Sequence, residues 1–361
     1  MQRGERVDSI DHLRGILAAI IMIYHYIAWS FPNLMSPDSL LSVLGYYGVA
    51  AFFVISGVSL AIAYDGRLAN RTEIARFLSR RLFRIAPLYW LTVSATILLA
   101  IVAGVFTGAP LGFTWGDIAA NYLLTFSFGL SPSLVVGGWS IGNEIFFYLC
   151  FPVLFWLICK SISWALTAIV GGSVLLALWA FIVVPSGLTD QDEWTYYISN
   201  WNQLFFFIAG VVIGRYIKPA SFSRTFCYVT LVAALAMLAM ANVGTRSDLV
   251  EHWHRIFLSI ATLLLVFSVY QINWQSTSFI GQALAFLGLI SYSLYLLHPL
   301  VRSVVNIIGN QIGLTQLATL IISVALTVVG SWISYKLIEM PGIRLGKTLE
   351  RSLTRRITAT A

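Results

Sequence analysis

Three ionisable side chains stand inside long apolar runs of this chain: His25, Glu144 and His298. A charge in hydrocarbon is costly, so such residues mark chemistry or a transport path unless they only bond helices together. The residue types suggest general-base work on a hydroxyl: a carboxylate can hold an imidazole in one tautomer and raise its basicity. His298 precedes Pro299, and hydrogen bonding to the backbone that the proline frees is its structural alternative.

A second feature has the opposite character. Six arginines and no lysine fall between Arg67 and Arg84. Arg81 and Arg84, three apart, share one helical face. Two guanidinium forks on one face suit the phosphates of a cytosolic ligand. Membrane topology alone also gathers cations here, but lysine serves topology as well as arginine, and its absence points to a phosphate site.

The elements that must position these groups follow from composition. The chain is 58% hydrophobic and 10% charged, against about 25% charged in a soluble domain, so its surface must face lipid. Ten runs are long enough to span at about 20 residues each: 13–31, 43–64, 85–106, 140–159, 164–184, 201–217, 225–242, 254–271, 283–305 and 315–338. All must be helical, because lipid offers no partner to a bare amide. The stretch 118–130 is short and broken by Asn121, Gly129 and Pro132. It reads as a re-entrant or interfacial half-helix. The fold class is thus an all-α polytopic membrane protein with about ten transmembrane helices.

With the N-terminus cytoplasmic, 19 of the 22 Lys and Arg fall inside, leaving Arg246, Arg255 and Arg302 outside. An eleventh span at 118–130 would destroy this asymmetry, so the positive-inside rule favours ten spans with both termini cytoplasmic. That orientation sets depths. His25 lies eleven residues past Arg14, roughly 16 Å along a helix, in the outer half of its span. Glu144, five residues after Trp139, lies roughly 7 Å below the outer surface. His298 also falls in the outer half, so three ionisable groups on three helices share similar depths.

Other classes fall away. The net charge of +7 does not indicate nucleic acid, because the cations sit in short loops between apolar runs. Cys150, Cys159 and Cys227 lie in apolar stretches without paired spacing and support neither disulfides nor a metal site. No cleavable signal peptide is expected: the first run can span and lacks a small-residue cleavage site. The outer loops 107–138 and 185–200 hold no Lys or Arg. The second carries Asp190, Asp192 and Glu193 with Trp194, Tyr196 and Tyr197, a patch open to two readings: a sugar-holding surface or an interfacial aromatic belt. The basic residues beyond Glu339 read as an anchor on anionic lipid.

Several motifs resemble one known family. Asp11-His12-Leu13-Arg14-Gly15 with Tyr24-His25, and Phe52-Phe53-Val54-Ile55-Ser56-Gly57, resemble the opening elements of the acyltransferase-three family of bacterial membrane acyltransferases. The run from Arg81 to Trp90 is similar to its paired-arginine motif, and Trp139-Ser140-Ile141-Gly142-Asn143-Glu144 to its tryptophan–serine–glutamate motif. The run from Ser291 through Tyr292 to His298, and Glu339-Met340-Pro341, are similar to its C-terminal elements. His12 stands where the family often has a small residue, and Met340 where it often has arginine.

The resemblance implies one transmembrane acyltransferase domain over residues 1–345 and a basic cytoplasmic tail over 346–361. It also implies transfer of a short acyl group, usually acetyl, from acyl-CoA to a carbohydrate or glycolipid hydroxyl at the bacterial inner membrane, with no metal. His25 becomes the catalytic residue with Glu144 beside it. Arg14, Arg81 and Arg84 become the acyl-CoA ligands, and Asp11, Ser56, Trp139, Ser140, Tyr292 and His298 support them. His25 would act as base in a direct transfer or carry the acyl group as an acyl-imidazole. Without the fused extracytoplasmic hydrolase-like domain of some members, any partner that delivers the acceptor is expected to be a separate protein. The rival class is a proton-coupled transporter with His25 and Glu144 as a relay, for which the matched broken halves of such folds are not seen.

Overall fold

The computed structural model describes residues 7–108, 110–129, 131–185, 190–241, 243–275 and 277–360. Arg3 and Arg6, and the side chains of Asp190, Asp192, Glu193, Arg351, Arg355 and Arg356, which bear on orientation, the acidic loop and the basic tail, lie outside the described set. All regular structure among the described residues is helical: α1 (Asp8–Ser30), α2 (Leu40–Tyr64), α3 (Arg71–Thr107), α4 (Trp115–Tyr122), α5 (Gly138–Lys160), α6 (Ile162–Leu178), α7 (Asp190–Tyr197), α8 (Asn200–Tyr216), α9 (Arg224–Ala239), α10 (His252–Ile272), α11 (Phe279–Gln311), α12 (Gln316–Ser334) and α13 (Met340–Thr360). The protein is an all-α polytopic membrane protein.

Among the described residues, nine helices are long and apolar enough to cross a membrane. The tenth expected span is α9, which is apolar but stops at 16 residues. Its length, roughly 24 Å, falls short of a hydrocarbon core of roughly 30 Å. Two helices run well past their apolar cores. α3 has 37 residues, because Asn70 caps it at Arg71: the Asn70 side chain accepts from the Glu73 amide at 3.0 Å, and Glu73 accepts from the Ala69 amide at 2.8 Å. This reciprocal cap fixes the start, so the arginines from Arg71 to Arg84 ride on the spanning helix itself. α12 continues through a π-turn (Tyr335–Glu339) into α13, so the C-terminal segment begins as helix.

The segment 118–130 is indeed short. α4 has eight residues, Leu124 turns the chain with φ of 61°, and a 3₁₀ turn follows over Thr125–Phe128. Asn121, fully buried, holds it in place. Its Oδ1 accepts from the Tyr89 hydroxyl at 2.6 Å and the Leu134 amide at 3.0 Å, and its Nδ2 donates to the Asp117 and Pro132 carbonyls, each at 2.9 Å. Asp117 at the exposed start of α4 accepts from Ser131 and from Thr114, which holds its carboxyl below the usual carboxylate range.

The chain divides into two compact units, Met1–Asp65 with Val153–Ser291 and Gly66–Pro152 with Tyr292–Ala361. In the first, helices meet through small residues, as expected where lipid removes the hydrophobic incentive to associate. A Cβ on Gly57 of α2 would sit 2.7 Å from the Val211 nitrogen of α8, and one on Gly15 of α1 would sit 2.5 Å from the Gly288 nitrogen of α11. In the second unit, α13 lies along α3. Arg80 pairs with Glu350 through a 2.6 Å Nε bond, and a Cβ on Gly342 would sit 2.7 Å from the Phe83 carbonyl. Pro87 leaves that carbonyl without its usual amide.

Candidate active site

In the first unit, α1 carries the expected Asp11, Arg14 and His25. Asp11 and Arg14, one turn apart, form an ion pair at 2.6 Å, and the second Arg14 nitrogen reaches Ser59 Oγ at 3.4 Å. Ser56 is buried in α2, and the serine that meets Arg14 is Ser59, one turn further along the same helix. Sequence spacing names the face and not which of its serines is opposite the guanidinium. His25 lies roughly 16 Å further along α1. Its half-buried ring is sandwiched in sequence neighbours, stacked on Trp29 at 5.0 Å and beside Tyr24 at 5.1 Å. One ring nitrogen bonds the Ile21 carbonyl, a turn back, which orients the imidazole along the helix.

The second unit holds the other expected residues. Glu144 on α5 accepts from the Tyr148 hydroxyl at 3.0 Å. The Arg81 guanidinium lies over the Tyr148 ring, 5.6 Å from its centre, and over Phe77 at 5.8 Å. Arginine, aromatic ring and carboxylate therefore follow one another: the cation rests on the ring whose hydroxyl binds the acid. Arg84, exposed on the same face, lies within electrostatic reach of Glu339, which also accepts from Ser293. The arginine cluster is thus divided. Arg80 is held by Glu350, while Arg81 and Arg84 take separate neighbours.

At the start of α5, Ser140 Oγ lies 3.0 Å from the Tyr295 hydroxyl, which donates to the Gly137 carbonyl at 3.1 Å. Gly137 has φ of 79°, and a Cβ there would lie 3.0 Å from the same hydroxyl, so glycine serves both the turn and the approach. Trp139 is half-buried on the first turn. Tyr292 donates to the Ile85 carbonyl at 2.8 Å and so ties α11 to α3. His298, 1% exposed, places Nδ1 2.7 Å from the Tyr295 carbonyl. That carbonyl is the one Pro299 deprives of an amide, four residues on. A carbonyl only accepts, so Nδ1 carries the proton.

Three neighbours of expected site residues went unassigned in the sequence. Ser59 meets Arg14, Tyr148 meets Glu144, and Tyr295 meets Ser140 and His298. Each lies three or four positions along a helix from a residue already singled out (Ser56, Glu144 and Tyr292), and that spacing was the available signal.

The whole pattern corresponds to one family, whose model, described as an acyltransferase domain, matches residues 7–336. The chain belongs to the acyltransferase-three family. It is 26% identical to the exopolysaccharide production protein ExoZ of Rhizobium meliloti (strain 1021), over 88% of this chain and 93% of that protein. Similarity also extends to a Staphylococcus aureus (strain COL) protein whose name provisionally makes it an O-acetyltransferase: 26% identity over 93% of this chain and 57% of that one. The chain therefore spans little more than half of the staphylococcal relative. The acyltransferase MdmB of Streptomyces mycarofaciens is 22% identical over 95% of this chain and 93% of its own length. No solved structure matches. The family, and the nine helices among the described residues that are long and apolar enough to cross a membrane, together make the protein a multi-pass membrane acyltransferase.

Proposed function

We propose that the protein transfers a short acyl group, foremost acetyl, from cytosolic acyl-CoA to a hydroxyl of an extracytoplasmic or lipid-linked carbohydrate. The observation that carries this reading is α1 itself. One rigid helix bears an ion-paired arginine near one end and a ring-flanked histidine about half a membrane thickness away, roughly 16 Å of helical rise in a core of roughly 30 Å. An extended pantetheine arm is of comparable length. The family resemblance assigns Arg14, Arg81 and Arg84 to the donor phosphates. His25 takes the proton of the acceptor hydroxyl as its oxygen attacks the thioester carbonyl. The carbon–sulfur bond then breaks, and the CoA sulfur leaves with a proton.

With the short α9 counted as the tenth crossing, the 19-to-3 division of cations across the expected loops supports a bacterial inner-membrane protein with both termini cytoplasmic. Names among the relatives, exopolysaccharide production and O-acetyltransferase, favour a surface polysaccharide as acceptor and acetyl as the group moved. The test is label transfer. Vesicles holding the protein and given acetyl-labelled acetyl-CoA should pass label to carbohydrate, base-labile as an ester is. Label that stays on CoA, with the protein folded, would overturn the proposal.

A further inference from the structure

In the second unit, Tyr148 of α5 meets both an expected donor ligand and the expected carboxylate, and it does so with different atoms. Its hydroxyl donates to Glu144 at 3.0 Å, and its ring centre lies 5.6 Å from the Arg81 guanidinium of α3. The side chain is buried and fixed from the side. Phe77 of α3 meets its ring edge-on at 6.1 Å and is itself backed by Phe151 at 5.3 Å, both phenylalanines being fully buried.

The hydroxyl bond is not one that the fold requires. Tyr47, Tyr197, Tyr216, Tyr270 and Tyr292 each donate to a backbone carbonyl of a distant segment, so each of those bonds ties two parts of a unit together. Tyr148 donates instead to a side chain one turn back on its own helix, where the backbone ladder already holds the geometry. A bond that joins no two elements serves its acceptor: it selects one rotamer of the Glu144 carboxylate. The ring contact is equally specific. Glu350 takes the Nε and one Nη donor of Arg80. A π face attracts a guanidinium without accepting its in-plane N–H groups. The Tyr148 ring therefore orients Arg81 without using the fork that a phosphate would take.

We infer that Tyr148 is a positioning residue for acyl transfer: its ring sets Arg81 for the CoA phosphates, and its hydroxyl sets Glu144 for the transfer step. One rigid side chain thus connects donor binding to the expected acid. This role rests on the acyl-CoA reaction proposed above and on the parts that the family resemblance gives Arg81 and Glu144. The two ends are separable by substitution. Phenylalanine keeps the ring and deletes the hydroxyl, whereas leucine deletes both.

The experiment uses the full chain in membrane vesicles that retain their own carbohydrate, with labelled acetyl-CoA as the varied substrate. Rates are taken per folded molecule, so a merely structural tyrosine would move neither kinetic constant. Tyr148→Phe should lower the limiting rate about tenfold and leave KM for acetyl-CoA within about twofold of the parent, the size of one hydrogen bond to a charged group. Tyr148→Leu should add a rise in KM of about fivefold, the order of a lost cation–π contact. In an Arg81→Ala background, Tyr148→Leu should raise KM no further, because the ring acts through that guanidinium. A parent-like limiting rate in Tyr148→Phe would overturn the role of the hydroxyl, and equal KM values in the leucine and phenylalanine variants would overturn that of the ring. Tyr148→Phe keeps the packing and carries the test alone if the leucine variant does not fold. A folded parent chain that transfers no label would instead overturn the acyl-CoA reaction itself.

Discussion

His25 and His298 are both imidazoles inside spanning helices, yet their surroundings give them different work. His298 is buried to 1% exposure, and its Nδ1 proton goes to the Tyr295 carbonyl. Pro299 has removed the amide that this carbonyl would otherwise accept, so the imidazole replaces a missing backbone donor. No proline follows His25: Tyr26 does, and the helical ladder is intact. The His25 bond to the Ile21 carbonyl is an addition to the backbone bond there, and it orients the ring. His25 is also half-buried against Trp29 and Tyr24, where a ligand can approach. An intramembrane histidine is thus sorted by what its own helix lacks: where the backbone is short of a donor, the imidazole is spent on structure.

Kinetics breaks or confirms this contrast most sharply. His25→Ala should lower acyl transfer by about 10³-fold, in the range of a lost general base, with expression and membrane insertion unchanged. His298→Gln, whose amide can still donate to a carbonyl, should keep transfer within about tenfold of the parent. Comparable losses in both variants would end the distinction. The double variant Arg81→Ala with Arg84→Ala should act on neither imidazole. Its KM for acetyl-CoA should rise about tenfold or more from lost phosphate contacts, while kcat at saturating donor stays near the parent value. Unchanged donor affinity with altered loop accessibility would return both arginines to topology alone. The smallest effect is on stability. His298→Ala should cost about 1 kcal/mol in reversible unfolding from detergent micelles, the order of one hydrogen bond. Much of that loss should vanish when Pro299→Ala restores an amide for the Tyr295 carbonyl. Full additivity of the two changes would show that histidine and proline are uncoupled.

The candidate site was named residue by residue from motifs whose order runs nearly the length of the chain. Its neighbours were less legible. Helical periodicity says that residues three apart share a face, but not that Ser59 is the serine that meets Arg14 or that Tyr295 is the tyrosine that meets Ser140. Arg80, Arg81 and Arg84 looked alike in sequence. Only packing showed that Glu350, 270 residues away, claims the first, that Tyr148 underlies the second, and that Glu339 faces the third. The extent of α3 was similarly hidden, since its start rests on a reciprocal cap between Asn70 and Glu73 rather than on hydrophobicity.

By itself the sequence determined the solvent and the class of fold. A chain with 58% hydrophobic residues must bury itself in lipid, and lipid forces every buried amide into a helix. It also determined the family, through motifs that follow one another in order along the chain. The tertiary structure decided which of several equivalent side chains meet. That choice depends on how closely helices approach, as where Gly15, Gly57 and Gly342 admit a neighbouring backbone, and on which carbonyls prolines leave bare. Both are properties of helices packed against one another, and neither is carried by the period of any one of them.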